Sequence, residues 1–527
     1  MAPRFSLHLV ALLGLALGCG IDTAEPRPDD GTLVPSECTT RGSRMMRRLT
    51  NLQRRSTLPA VFRDPNVPVS DILNDPVILG FKADATQSVV RDLDAQLIMD
   101  NAESIASWVV MQKLGQVTTC QTTDPTCVRQ FIETLGKQLY REPVPAASVD
   151  SYVQLFGGET SFADGARVVI SAMLQSPYFL YRRELGERGS DGLYHLTPYE
   201  LASSLSYMLT NGPPDATLMT AADQGRLASP ADLDREAARL LNTPESATAF
   251  GTFVRNWLVI DDLATRAKMD PTNRLTDAIR TAMLEETARL FVNVLRSNAK
   301  IAELFTASYT FVDPNLAGYY QLPGVGGGFQ RVELPSNTRA LGVLGHGSIL
   351  TRHALADRSS PVQRGKLVRE RLLCEELTPP PPTVDTNLPP PMGNFTTRQR
   401  YEQHVQAEFC RGCHQLTDPV GFAFEHFDGF GRKRDQENGL PIDATGTLSG
   451  MAEGDIALDG IDSLSRYLAG SEQATQCLVR YMSYNAYGVD HCSESDIGKE
   501  LAAGDGSLKS IVMAILHAPQ FATRTGD

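Results

Sequence analysis

Apolar residues recur at helical spacing along most of this chain, while runs alternating apolar and polar residues are scarce. Around residues 278–295, Ile279, Met283, Phe291, Val294 and Leu295 gather near one face, and Glu285, Glu286, Arg289 and Arg296 lie elsewhere. That is a core-facing amphipathic helix. Related patterns return at 164–180, 198–209, 231–241, 359–373 and 507–516. The expected fold is mainly α, and 527 residues with 42% hydrophobic content suffice for a body of several packed domains. A net charge of −13 argues against nucleic acid as a partner, because phosphates would be repelled.

The run Cys410-Arg411-Gly412-Cys413-His414 carries chemistry. C-x-x-C-H is the sequence at which haem is attached covalently: two thiols reach the two vinyl groups of one porphyrin edge, and the next residue places an imidazole under the iron. With 9 Cys and 9 His, about 0.003 such pentapeptides are expected by chance, so composition does not account for it. The alternative is a Cys410–Cys413 disulfide beside a bystander histidine. A zinc site would need a second ligand pair at suitable spacing, which the chain does not provide.

Arg4 followed by the apolar run Leu7 to Leu17 reads as an export signal too short to span a bilayer permanently. Ala16 and Gly18 lead into Cys19 as in a bacterial lipobox, so Cys19 is the candidate for lipidation, and the anchor is the only membrane attachment expected. Removing Cys19, Cys410 and Cys413 leaves six cysteines, an even number that suits an oxidising compartment. Short polar loops pair Cys120 with Cys127 and Cys477 with Cys492, leaving Cys38 for Cys374.

Proline and glycine punctuate the rest. Residues 20–36, rich in Pro, Asp and Thr, read as a tether. Prolines 379–382 and 389–391 cannot continue a helix and read as an extended connector before the Cys-Cys-His segment. Gly324 to Gly328 lacks the Lys and Ser or Thr of a phosphate loop and reads as a turn. The segment from Ile170 to Phe179 parallels the one from Val512 to Phe521, and Cys127-Val128-Arg129 parallels Cys477-Leu478-Val479-Arg480. Two related helical modules flanking the body would produce that pattern. The divisions expected are 1–19 signal and lipobox, 20–36 tether, 37–150 and 151–330 helical domains, and 331–378 a helical domain leading to the linker. After them come 379–395 proline-rich linker, 396–470 cytochrome-c-like haem segment and 471–527 C-terminal helical module.

Several stretches together resemble a family of large exported planctomycete-type cytochrome-like proteins, mostly of unknown function. They are Arg48-Leu49-Thr50-Asn51-Leu52, Leu196-Thr197-Pro198-Tyr199-Glu200-Leu201-Ala202, and Tyr309-Thr310-Phe311-Val312-Asp313. Most specific is Ser360-Pro361-Val362-Gln363-Arg364-Gly365-Lys366, followed by the prolines, the Cys-Cys-His run and Asp418-Pro419-Val420-Gly421-Phe422-Ala423-Phe424-Glu425-His426-Phe427-Asp428. The resemblance implies haem c, bacterial export and a helical body, with no established substrate. Glu142 stands where that family usually carries a second Arg before Pro143.

If haem binds, Cys410 and Cys413 form the thioethers and His414 is the proximal ligand, its other ring nitrogen requiring an acceptor. Met451 or Met482 is the candidate sixth ligand. His404, six residues before Cys410, is a candidate for the haem edge or a propionate. Arg411, Arg432, Lys433 and Arg434 are candidate propionate partners, the last three reading otherwise as a solvated basic turn. His426 reads as a half-exposed surface residue, and Glu425 and Asp428 as turn-stabilising groups more than acid/base groups.

The leading expectation is an exported monohaem electron carrier working with a redox protein of the cell envelope, with a co-encoded protein as the candidate partner. A haem enzyme with an open distal site and a surface binding protein with a structural haem or disulfide are the alternatives.

Overall fold

A computed structural model describes residues 42, 44–82, 90–335, 338–378, 394–404, 408–488, 497 and 505–526, with backbone alone at 403, 404, 408–410 and 413. Helix makes up 56% of it, and the longest strand among the described residues, Thr445–Met451, has seven residues. The fold is therefore mainly α, as the periodicity predicts. Cys19, Cys38, Cys492, the tether and prolines 379–382 and 389–391 lie outside the described residues, as do the side chains of His404, Cys410 and Cys413.

Five helices, Asn51–Phe62, Asp92–Gln112, Pro125–Tyr140, Ala146–Phe156 and Phe162–Gln175, enclose a first core centred on Leu58, Ile105, Ile132, Leu139, Val169 and Met173. Their ends are set locally: Thr50 and Gln53 form a capping box, Asp124 and Ser161 cap their helices, and Arg141 closes the third in the left-handed region at φ 63°. The main core joins Trp257 and Phe291 to Val420, Phe424, Leu448, Leu464, Leu478 and Ile515. Residues on both sides of positions 330, 378 and 470 thus pack into one interior, and Glu37–Asp527 forms one compact unit.

The sequence parallel between the two modules has a backbone counterpart. Helix Phe162–Gln175, the one-turn helix Pro177–Leu180 and strand Tyr181–Glu184 match helix Leu508–His517, the one-turn helix Pro519–Ala522 and strand Thr523–Arg524. Arg182 and Arg524 occupy equivalent places and meet at one carboxylate, Glu184, at 2.9 and 2.6 Å. Burial alone would raise the Glu184 pKa, but Arg47, Arg182 and Arg524 outweigh it and hold the carboxyl at about 2. Glu142, the departure from the family pattern, pairs with Arg183 at 2.7 Å, while Arg141 donates to the carbonyls of Leu139, Tyr178, Phe179 and Tyr181.

Two disulfides are present among the described residues. Cys120 is joined to Cys127, the pair expected from the short loop. Cys374 is joined to Cys477 across 103 residues, with Cα atoms 5.4 Å apart, which overturns the pairings of Cys477 with Cys492 and of Cys374 with Cys38. The reason lies in the helix Glu472–Tyr487, which turns Cys477 into the core at 2% exposure, against the chain reversal at Cys374. Proximity in sequence does not decide a pairing when one partner faces inward.

Replacing both Cys374 and Cys477 with Ser is expected to cost about 2–5 kcal/mol, read as a lower denaturant midpoint under oxidising conditions. His346 and His353 are fully buried, and desolvation lowers both imidazoles, His353 to about 3. Between that value and about 6.5 the unfolded chain binds protons that the folded chain refuses, so stability falls as pH drops below about 6.5. The slope is at most about 1.4 kcal/mol per pH unit for each group. Denaturation at pH 7 and pH 5 should show a smaller loss in H353Q than in the parent, and an equal loss would refute the assignment.

Candidate functional site

Helix Glu408–Phe422 carries Cys410, Cys413 and His414 in its first half. His414 and Asp418 stand four residues apart, the spacing that stacks two side chains on one helix face. Nδ1 of His414 lies 2.8 Å from Oδ2 of Asp418, and the other Asp418 oxygen accepts from the Thr417 hydroxyl at 3.2 Å. Asp418 is buried, whereas the His414 side chain is 19% exposed. The acceptor that the sequence left unnamed is thus a carboxylate on the same helix. Tyr401, buried and pushed up to about 12 by desolvation, places its ring 6.1 Å from the imidazole.

Backbone packing fixes the second half of this helix. Helix Pro361–Lys366, capped by Ser360, crosses it so closely that a methyl group on Gly365 would sit 2.0 Å from the Thr417 carbonyl oxygen. The same holds for Gly421 against the Pro361 carbonyl at 2.0 Å and Gly446 against the Pro419 carbonyl at 1.9 Å. Beside Gly365, the fully buried Arg364 donates to the carbonyls of Leu350, Phe424, Phe427 and Asp428 at 2.7–3.0 Å. Arg369, on the π-helical segment Leu367–Leu372, reaches Leu416 O at 2.6 Å and Ser449 O at 3.0 Å. Arg411 and Gly412, at the other end, are exposed. The helix is anchored from Leu416 onward.

The remaining candidates divide sharply. Met451 and Met482 are both buried in the main core, 6% and 4% exposed, as packing groups. Arg432 pairs with Asp428 and Asp270 at 2.8 and 3.1 Å, and Arg434 with Glu425 and Glu437 at 2.7 and 2.9 Å. Neither guanidinium fits the propionate role or the solvated turn that the sequence suggests, because internal carboxylates engage both. Glu425, its pKa raised by burial, accepts from Ser359 at 2.9 Å and lies 3.7 Å from Arg364, and Asp428 accepts from the backbone of Phe430 and Arg432. Both are structural. His426 is half-exposed, as expected.

Elsewhere a cleft of about 730 Å³ opens between the first helices and the loop at Pro213–Pro214, lined by Arg55, Pro59, Lys137, Thr210 and Thr248 among others. No residue of the motif helix lines it.

Three stretches match domain models, each described as a protein of unknown function: residues 127–184 match PSD5 (DUF1595), 196–322 match PSD4 (DUF1592), and 340–437 match PSCyt3 (DUF1588). The chain carries three domains of this PSD and PSCyt family. No curated protein and no solved structure matches it. The PSCyt3 stretch holds both crossing helices, the His414–Asp418 pair and the Glu425 network, and it ends at Glu437, the partner of Arg434. PSD5 ends at Glu184, where the three arginines converge.

Within PSCyt3 the close crossing is open to test. Gly365→Ala should cost about 1–3 kcal/mol or more, since the obstacle is backbone and cannot swing aside. Gly470→Ala, with nothing within 4 Å of the added methyl, should stay within about 0.5 kcal/mol in the same denaturation assay.

Proposed function

We propose that this protein is an exported, lipid-anchored monohaem c-type protein that passes single electrons between a partner protein and a carrier of the cell envelope. The observation that carries the reading is the His414–Asp418 pair in the helix that also bears Cys410 and Cys413. A histidine that ligates a metal through one ring nitrogen characteristically donates from the other to a carboxylate or carbonyl, and with Nδ1 so engaged here, Nε2 is the nitrogen that would hold the iron. The residues present fit the group: Cys410 and Cys413 would form the thioethers and His414 the proximal bond. Haem, when bound, supplies the one-electron couple.

This chain's own residues do the rest. Asp418 fixes the tautomer and orientation of His414. The Gly365 and Gly421 crossings and Arg369 hold the helix in place, so that the exposed Arg411 and Gly412 mark where a partner protein approaches. Match to PSCyt3, a cytochrome-like domain, supports the same reading. Among the described residues no helix is long and apolar enough to cross a membrane, and attachment through lipid on Cys19 is the proposed anchor. Burial of both Met451 and Met482 in the core favours a second reading, a haem enzyme with an open sixth position acting on peroxide or oxygen.

The test is a pyridine haemochrome assay with oxidised and reduced visible spectra on full-length protein matured in an export-competent host. Covalent haem with a low-spin spectrum is expected. A high-spin ferric spectrum with carbon-monoxide binding would establish the enzyme instead, and protein without covalent haem would leave a disulfide-stabilised binding protein.

A further inference from the structure

We infer that Asp418 is a positioning residue that sets the reduction potential of the centre, holding it low by giving the His414 imidazole anionic character. The inference rests on the haem reading above and concerns this chain's own residues. Its basis is geometric: Oδ2 of Asp418 lies 2.8 Å from Nδ1 of His414, and the carboxylate is 5% exposed. Water reaches the carboxylate little, so its charge is screened less on the ring than it would be at the surface. A carboxylate that accepts the Nδ1 proton raises the basicity of Nε2, and a more basic ligand favours ferric over ferrous iron.

The helix is built to keep this partner in register. The four-residue spacing places the two side chains together, Thr417 donates to Asp418 Oδ1 at 3.2 Å, and the Gly365 crossing pins the Thr417 backbone. A backbone carbonyl would satisfy the same nitrogen without a full charge. The choice of a carboxylate therefore points to a donor of electrons at low potential more than to a high-potential acceptor.

The experiment is a spectroelectrochemical titration of the full-length, haem-loaded protein, parent against D418N, with haemochrome content measured on each sample. D418N should keep covalent haem and shift its midpoint upward by at least about 59 mV, the equivalent of a tenfold change in ferric preference for a one-electron couple. D418E, which retains the charge, should return most of the way to the parent value. Where D418N accumulates too little protein, D418S removes the same charge and should show the same upward shift. An unchanged midpoint in a haem-loaded D418N or D418S overturns the inference alone. A parent protein with no covalent haem overturns the functional reading and this inference with it.

Discussion

The crossing of helices Pro361–Lys366 and Glu408–Phe422 is the constraint on which the rest of the structure depends. Two glycines let the backbones meet, and the guanidinium of Arg364, shut off from water, satisfies three carbonyls in the turn that follows the second helix and the carbonyl of Leu350 on another helix. Burial drags Arg364 down to about 10 and Glu425 up, each toward its neutral form, while their opposite charges pull the other way. Such a group gains little net energy from its partners, but removing one of them would strand the other in the interior. Arg364 and Gly365 thus work as a unit: one needs the carbonyls near, and the other allows them to come near.

From that crossing the order propagates outward. Arg369 ties the π-helical segment to the motif helix and to strand Thr445–Met451. Arg371, two residues on, donates to Leu79 O at 2.7 Å, and its own carbonyl accepts from the Trp257 indole at 2.8 Å. A single short stretch therefore connects the candidate haem helix, the main core and the segment that follows helix Asn51–Phe62. Backbone packing on both sides of Asp418 thereby fixes where the helix places this partner of His414.

Helix positions were legible in the sequence because they depend on local periodicity and caps; Pro198–Thr210 and Asp277–Arg296 lie where the apolar pattern put them. The match between Arg182 and Arg524 was legible only as a likeness of flanking segments, since their meeting at Glu184 is a tertiary event. The Asp418 acceptor stood in plain view four residues after His414, and the helix spacing rule would have found it. Other features could not be read. Nothing local marks Gly365 as a backbone contact, and Arg432 looks solvated until Asp270 arrives from a distant segment, while the carboxylates that take Arg434, Glu425 and Glu437, are near in sequence but meet it only once the turn is folded. The partner of Cys477 was misjudged because short loops are the default expectation, and burial on one helix face overrode it.

The bond between Cys374 and Cys477 brackets the proline segment, the motif helix and the hairpin formed by Thr445–Met451 and Gly454–Asp459. The chain there is a closed ring of covalent bonds with the Cys-Cys-His motif on its circumference. A protease that cut the ring once, at the prolines or anywhere else between the two cysteines, would open it without detaching anything. In an oxidising compartment the severed protein would remain one molecule, and the helix that carries His414 could not drift away from the body that holds it.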